Sequence, residues 1–168
     1  MTKLGFVMGA AIVCAMAVAL AGSPVVSQGT NKEHASTTIV ATAAAKQFHR
    51  LVLQVNSDEP EVMTLALNNA ANVERYYTGL GEKVEIEIVA FGPGLHMLRE
   101  DTSPVKDRIK SMAEKTSSIT FKACGNTQEN MAKRENKEIH LISQASVVKS
   151  GVVRVMELQE QGWSYVRP

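Results

Sequence analysis

From Phe48 onward the chain switches between two kinds of hydrophobic pattern. Phe48 to Asn56 (FHRLVLQVN) alternates apolar and polar positions and is rich in Leu and Val, which predicts a strand. Ser57-Asp58-Glu59-Pro60 follows, with a capping acid and a proline suited to a first helical turn. Glu61 to Leu80 then reads as a helix, with Val62, Leu65, Ala66, Asn69, Val73 and Tyr76 near one face, and Gly81 sits where a left-handed helix end favours glycine. Val84 to Phe91 (VEIEIVAF) predicts a second strand, alternating at first and wholly apolar at its end, as in a sheet covered on both faces.

Gly92-Pro93-Gly94 breaks that strand as a rigid turn, and Ser103-Pro104 opens a helix to about Lys115. Ile119 to Cys124 predicts a third strand, Asn126 to Lys137 a polar helix, and Val147-Val148 a short fourth strand. Gly151 to Gln161 reads as a last helix ended by Gly162, and Trp163 to Val166 as a fifth strand. Strands alternating with helices imply an α/β domain with about five strands, mostly parallel, and helices on both faces. In such sheets, sites form at the carboxyl ends of strands, near the point where strand order reverses. Three segments are expected there: Asn56-Ser57-Asp58, Gly92 to His96, and Cys124 to Thr127. With strand order 2-1-3-4-5, strands one and three would be neighbours and the crevice would lie beside Cys124.

The N-terminal 46 residues follow a different pattern. Lys3 precedes an uncharged Ala-, Val-, Met- and Leu-rich run from Leu4 to Ala21 that closes on Ala19-Leu20-Ala21, the three-part build of a secretory signal peptide. The run falls slightly short of the about 20 residues that cross a bilayer, which favours cleavage over anchoring. Residues 22–46 are rich in Gly, Ser, Thr, Gln and Ala and read as a linker, leaving 47–168 as the folded domain. The expected setting is export, in the periplasm, with no stable membrane span after cleavage.

Charge and cysteine content narrow the function. The 168-residue chain carries 18 basic and 17 acidic residues. Loss of Lys3 with the leader leaves it neutral, without the basic surplus that nucleic-acid binding needs. Cys14 would leave with the leader, so Cys124 is the one cysteine of the exported chain. A lone thiol in an oxidising compartment is either buried and inert, paired with another molecule, or chemically active. At a strand end before a helix start, helix-terminal N–H groups from Gly125, Asn126 (a candidate cap) and Thr127 would bias it toward thiolate, which is the nucleophile.

Supporting candidates are Asn56, His96 (for proton transfer or pairing with a thiolate), Gly92 and Gly94 (for close backbone approach), and Asn69 within the Asn68, Asn69, Asn72 cluster. Spacing offers no zinc motif, no Walker-type lysine loop and no dinucleotide fingerprint, so neither a metal nor an organic cofactor is expected.

The segments LVLQVNSDEPEVMTLALNNAANV, EIVAFGPGLHML, SPVKDRI, FKACGNT and GVVRVMELQEQGWSYVRP resemble the DsrE/DsrF-like family of small sulfur-relay proteins. The resemblance covers nearly all of 48–168. It implies a flavodoxin-like subunit that assembles into homo-oligomers, trimers or hexamers. It also implies a cysteine after the third strand that carries sulfur as a persulfide and passes it to a partner's thiol. Cys124 is the matching residue. His96 and the cluster Asn68 to Asn72 match recurrent family positions to which no catalytic role is carried over. Two functions remain open: a sulfur carrier or sulfurtransferase acting through Cys124 with a donor or acceptor protein, or a non-catalytic small-ligand or protein-binding module of the same fold.

Overall fold

A computed structural model describes residues 47–168. The leader at 1–21 and the linker at 22–46 lie outside the described residues. Five strands form one sheet: β1 (Phe48–Val55), β2 (Lys83–Ala90), β3 (Ile119–Cys124), β4 (Ala145–Val148) and β5 (Ser164–Val166). Four helices connect them: α1 (Pro60–Gly79), α2 (Lys106–Lys115), α3 (Gly125–Glu135) and α4 (Gly151–Glu160). Every strand pairing is parallel. The fold is therefore α/β and consistent with a flavodoxin-like arrangement.

The strand order is β4-β3-β2-β1-β5, not 2-1-3-4-5. β2 stands between β1 and β3, so the first and third strands are not neighbours. The reason is stepwise winding. From β1 through β4 each crossover moves one strand in the same direction, and right-handedness then places α1, α2 and α3 on one face. The return from β4 to β5, on the far side of β1, sends α4 to the other face. The core divides accordingly. Leu51, Leu53, Val55, Ile86, Ile88 and Phe121 pack under α1, α2 and α3, whereas Val52 and Val89 pack under Val155 and Leu158 of α4. Fully buried side chains such as Leu53, Leu67 and Ile88 each contribute about 1.5–3 kcal/mol of transfer free energy.

Local differences from the sequence pattern have plain causes. The helix α1 starts at Pro60 with Glu59 as its cap residue and no side-chain cap bond; the Ser57 hydroxyl instead accepts the Glu59 amide at 3.2 Å. Its buried face is Met63, Ala66, Leu67 and Ala70, while Leu65 and Tyr76 are exposed, because the helix is rotated so that the 63, 66, 67, 70 stripe meets the sheet. Gly81 does adopt the left-handed conformation, φ 71°. The segment Gly92–Leu98 is a stretch of 3₁₀ helix rather than a simple turn. It presses onto the end of β1: a Cβ on Gly94 would overlap the Val55 carbonyl and lie 2.8 Å from the Asn56 nitrogen.

Among the described residues no helix is long and apolar enough to cross a membrane.

Candidate functional site

The helices that follow β3 and β4 leave the sheet toward opposite faces, so their N-termini diverge from one point. That point is the reversal where α/β sheets place their sites. It lies between β3 and β4, and Cys124 occupies it, paired in register with Val148. The reversal thus lies at the β3 and β4 ends rather than between strands one and three.

Cys124 is itself the cap residue of α3, with extended backbone (φ −73°, ψ 114°). Asn126, expected to cap, is the second residue inside the helix, and its amide donates to the Lys149 carbonyl at 3.2 Å. A serine or aspartate at the cap position would accept N–H bonds from the second and third helical residues. Sulfur is larger than oxygen and forms no close cap bond there, yet the same amides act on it. Burial pushes the thiol up. The Thr127 hydroxyl and the amides of Gly151, Thr127 and Asn126, in that order, outweigh it and hold the thiol below its ordinary value. The Gly151 amide comes from the first residue of α4, so two helix N-termini converge on one sulfur.

Thr127 is fixed from behind. The Gly92 amide donates to Thr127 Oγ1 at 3.0 Å, which leaves the hydroxyl proton uncommitted to that contact. Gly92 holds φ at 55°, a left-handed backbone that glycine tolerates without strain. The start of α4 is fixed by Arg154, whose guanidinium donates to both oxygens of the buried Glu87 on β2 at 2.6 and 2.9 Å. Gly151 must be glycine: a Cβ there would lie 2.9 Å from Cβ and Cδ1 of Phe91 and 3.1 Å from Cys124 Cβ. Gly125 is similarly close to β4, 3.1 Å from Val147 Cγ1 for an added Cβ.

Cys124 is the free cysteine of the described residues and is only 5% exposed. Two surface hollows of about 490 Å³ each flank its surroundings. One is lined by Gly92, Pro93, Thr127, Asn130, Lys133 and Arg134, and the other includes Asn126, Val148, Ser150 and Arg154.

Other candidates are placed elsewhere. His96 engages the Thr102 hydroxyl through Nδ1 at 2.8 Å, not the thiol. Asn56 follows β1, two strands from Cys124, and its backbone supports Gly94. Asn69 lines a separate hollow of about 420 Å³ over the first half of β1, with His49, Leu51, Tyr77, Ser164 and Val166. Its neighbours are structural: Asn68 Oδ1 accepts from Arg108 of α2 at 2.6 Å, and Asn72 Oδ1 from Arg75 at 2.5 Å. Among the described residues no group of three His, Cys, Asp or Glu side chains is arranged to hold a metal ion.

Sequence reasoning missed Gly151, whose small size and position directly after Ser150 at a helix start were the available signal. It also missed Arg99. That side chain is fully buried and donates to Asp101 at 2.8 and 2.9 Å and to Glu135 at 2.6 and 2.8 Å, with Lys137 closing the cluster onto Asp101 at 2.8 Å. Those contacts hold Asp101 well below the carboxylate range and Glu135 down to about 2, in each case through the Arg99 hydrogen bond first.

No family model matches the chain, and no curated protein matches it. A solved structure of a protein of unknown function from Methanobacterium thermoautotrophicum is similar, with 28% identity and a TM-score of 0.61 over 71% of this chain and 99% of that one. The chain thus shares its α/β fold with a protein whose own activity is open.

Proposed function

We propose that the protein is a sulfur carrier that holds sulfane sulfur on Cys124 as a persulfide and hands it to a partner thiol. The supporting observation is the convergence of two helix N-termini and the Thr127 hydroxyl on one sulfur. A thiolate is the nucleophile in exchange at sulfur, and these groups favour it without adding a cation that would pair with it. The Cys124 thiolate attacks the outer sulfur of a donor R–S–SH. A new S–S bond forms, the donor's S–S bond breaks, and the electron pair leaves as R–S⁻. An acceptor thiolate attacks the outer sulfur of Cys124–S–SH in turn and regenerates the Cys124 thiolate. The same amides and hydroxyl would stabilise the persulfide anion.

The test is intact-mass analysis after incubation with polysulfide in the absence of reductant. Gain of one sulfur atom, lost in Cys124→Ser, is the expected result; no gain overturns the reading. The proposal extends to an exported, periplasmic setting and to a homo-oligomer. The mass of protein from its native compartment tests leader removal, and light scattering tests assembly.

A second reading, a binding module in which Cys124 only packs, is favoured by its 5% exposure. It predicts resistance to iodoacetamide near neutral pH, and rapid labelling of the native protein would eliminate it.

A further inference from the structure

The hollow over the first half of β1 lies two strands from Cys124 and toward the opposite end of the parallel sheet, so the persulfide reading makes no use of it. It opens because α1 packs over β1 and β2 rather than over the edge strand β5, which leaves space between the helix and the sheet edge. Its volume, about 420 Å³, is that of a small-ligand site. Leu51, Leu53, Val73, Val84 and Val166 make it mainly apolar.

Most of its polar lining is already engaged. His49 Nε2 meets Glu82 at 2.8 Å, and the His49 ring stacks on Tyr77 with centroids 3.6 Å apart. The Arg50 guanidinium lies 3.7 Å from Glu85 and over the Phe48 ring. Both charged groups therefore have partners, and nothing in the lining asks for a charged ligand. Asn69 is different. Asn68 and Asn72 engage Arg108 and Arg75, whereas the Asn69 side-chain amide, half-buried against the hollow, has no hydrogen-bond partner among the described residues. Ser164, on the edge-strand side of the hollow, likewise has an unpaired hydroxyl among them. Asn69, Val73 and Tyr77 follow at four-residue spacing along α1, a row that packing alone would fill with apolar side chains. Asparagine is a poor helix former, so this position gives up helix stability and gains no internal hydrogen bond in return.

We propose that the hollow binds a small, neutral, mainly apolar molecule carrying an amide-like edge, which Asn69 reads. A carboxamide presents a donor and an acceptor side by side, so it completes both halves of such an edge at once. Ser164 supplies one further hydroxyl, and the aliphatic lining takes the apolar body.

Three probes of nearly one shape test this. Benzamide carries donor and acceptor, acetophenone keeps only the acceptor, and benzamidine replaces the acceptor with a charged donor. Each is titrated into the purified protein while amide signals are followed by NMR. Benzamide is expected to give saturable shifts at Asn69, Val73, Ser164 and Val166, with affinity about fivefold above either relative. Asn69→Ala should remove that preference and leave acetophenone binding unchanged. The same variant should unfold at an equal or higher urea concentration, because alanine is the better helix former.

Absence of saturable shifts in this region overturns the site, and equal binding of the three probes overturns the amide-like class. A destabilised Asn69→Ala variant would make Asn69 a structural residue and remove it from recognition. Shifts of the same amides on changing protein concentration, without probe, would show a second copy seated in the hollow and overturn the small-ligand proposal.

Discussion

Two buried groups in this molecule are stabilised in opposite ways. Arg99 is met by formal charges: Asp101 and Glu135 each offer a bidentate carboxylate, and Lys137 ties Asp101 again. Cys124 is met only by dipoles, namely the amides of Gly151, Thr127 and Asn126 and one hydroxyl. Neutralisation by counter-charges saturates the guanidinium, which has nothing left to offer a ligand. Amides and a hydroxyl favour a negative sulfur without bonding it covalently or pairing it with a cation, so its lone pair stays available. The first arrangement clamps the 92–98 segment's exit to the end of α3, and the second favours the charged form of a buried thiol. A low exposure value therefore says little about reactivity until the partners are counted.

The largest way to break this contrast is Arg99→Met. It leaves two carboxylates facing an apolar side chain. Removing one partner of a buried pair costs about 3–5 kcal/mol. Relief is expected toward the low end here, because Asp101 and Glu135 are themselves partly exposed and can hydrate. Urea unfolding reads the cost, and a loss below about 1 kcal/mol would show the cluster to be ornamental. At the thiol, Gly151→Ala forces a methyl group against Phe91. Overpacking of this kind costs about 1–3 kcal/mol. Because the Gly151 amide must also move, the midpoint of the pH dependence of iodoacetamide labelling is expected to rise. A destabilised variant with an unmoved midpoint would remove the α4 terminus from the account of the sulfur.

Much of this contrast was legible in the sequence on one side and hidden on the other. Cys124 announces itself by falling at the end of an apolar strand and directly before a polar helix, and short-range spacing suffices to bring Gly125, Asn126 and Thr127 to it. Gly92 arrives through a contact 35 residues away in sequence, by way of Thr127, which no local pattern encodes. Arg99 is followed by Glu100 and Asp101, a mixed-charge stretch that reads as a solvated loop. Only the meeting of that stretch with Glu135 of α3 turns it into a buried cluster.

Strand order was the larger miss. Local periodicity fixes neither direction nor neighbour, so a 2-1-3-4-5 sheet and the observed β4-β3-β2-β1-β5 sheet share the same strand and helix signals. Cys124 ends β3 in either arrangement. The observed order puts β2 beside β3, yet His96, on the segment after β2, is engaged by the Thr102 hydroxyl, and Asn69 of α1 faces the first half of β1.

A finer test separates the hydroxyl from the amides. Thr127→Val keeps the shape of the side chain but removes its donor to sulfur and its acceptor for the Gly92 amide. Leaving that partly buried amide unpaired costs about 1–2 kcal/mol. The thiol loses the largest of its lowering contacts, so its midpoint rises and the labelling rate near neutral pH falls several-fold. Thr127→Ser should restore the midpoint. A valine variant with wild-type labelling would assign the bias to the helix termini alone.

The smallest effect belongs to the charged cluster in acid. Asp101 and Glu135 both titrate lower in the folded chain than in the unfolded one. Their contribution is therefore fully present above the ordinary carboxylate range and is lost as pH falls through the folded values, with Glu135 near 2. Lys137→Gln removes a secondary cause of both shifts while leaving Arg99, the first cause, in place. The variant should match the wild type in urea at pH 7, as exposed pairs usually do. It should lose stability slightly earlier on acidification, between about pH 4 and pH 2. Thiol labelling should stay the same throughout, because this cluster and the sulfur share no hydrogen-bond partner. Any coupled change in Cys124 reactivity would mean that α3 transmits strain from its charged end to its capped end, and the two regions could no longer be treated as separate solutions.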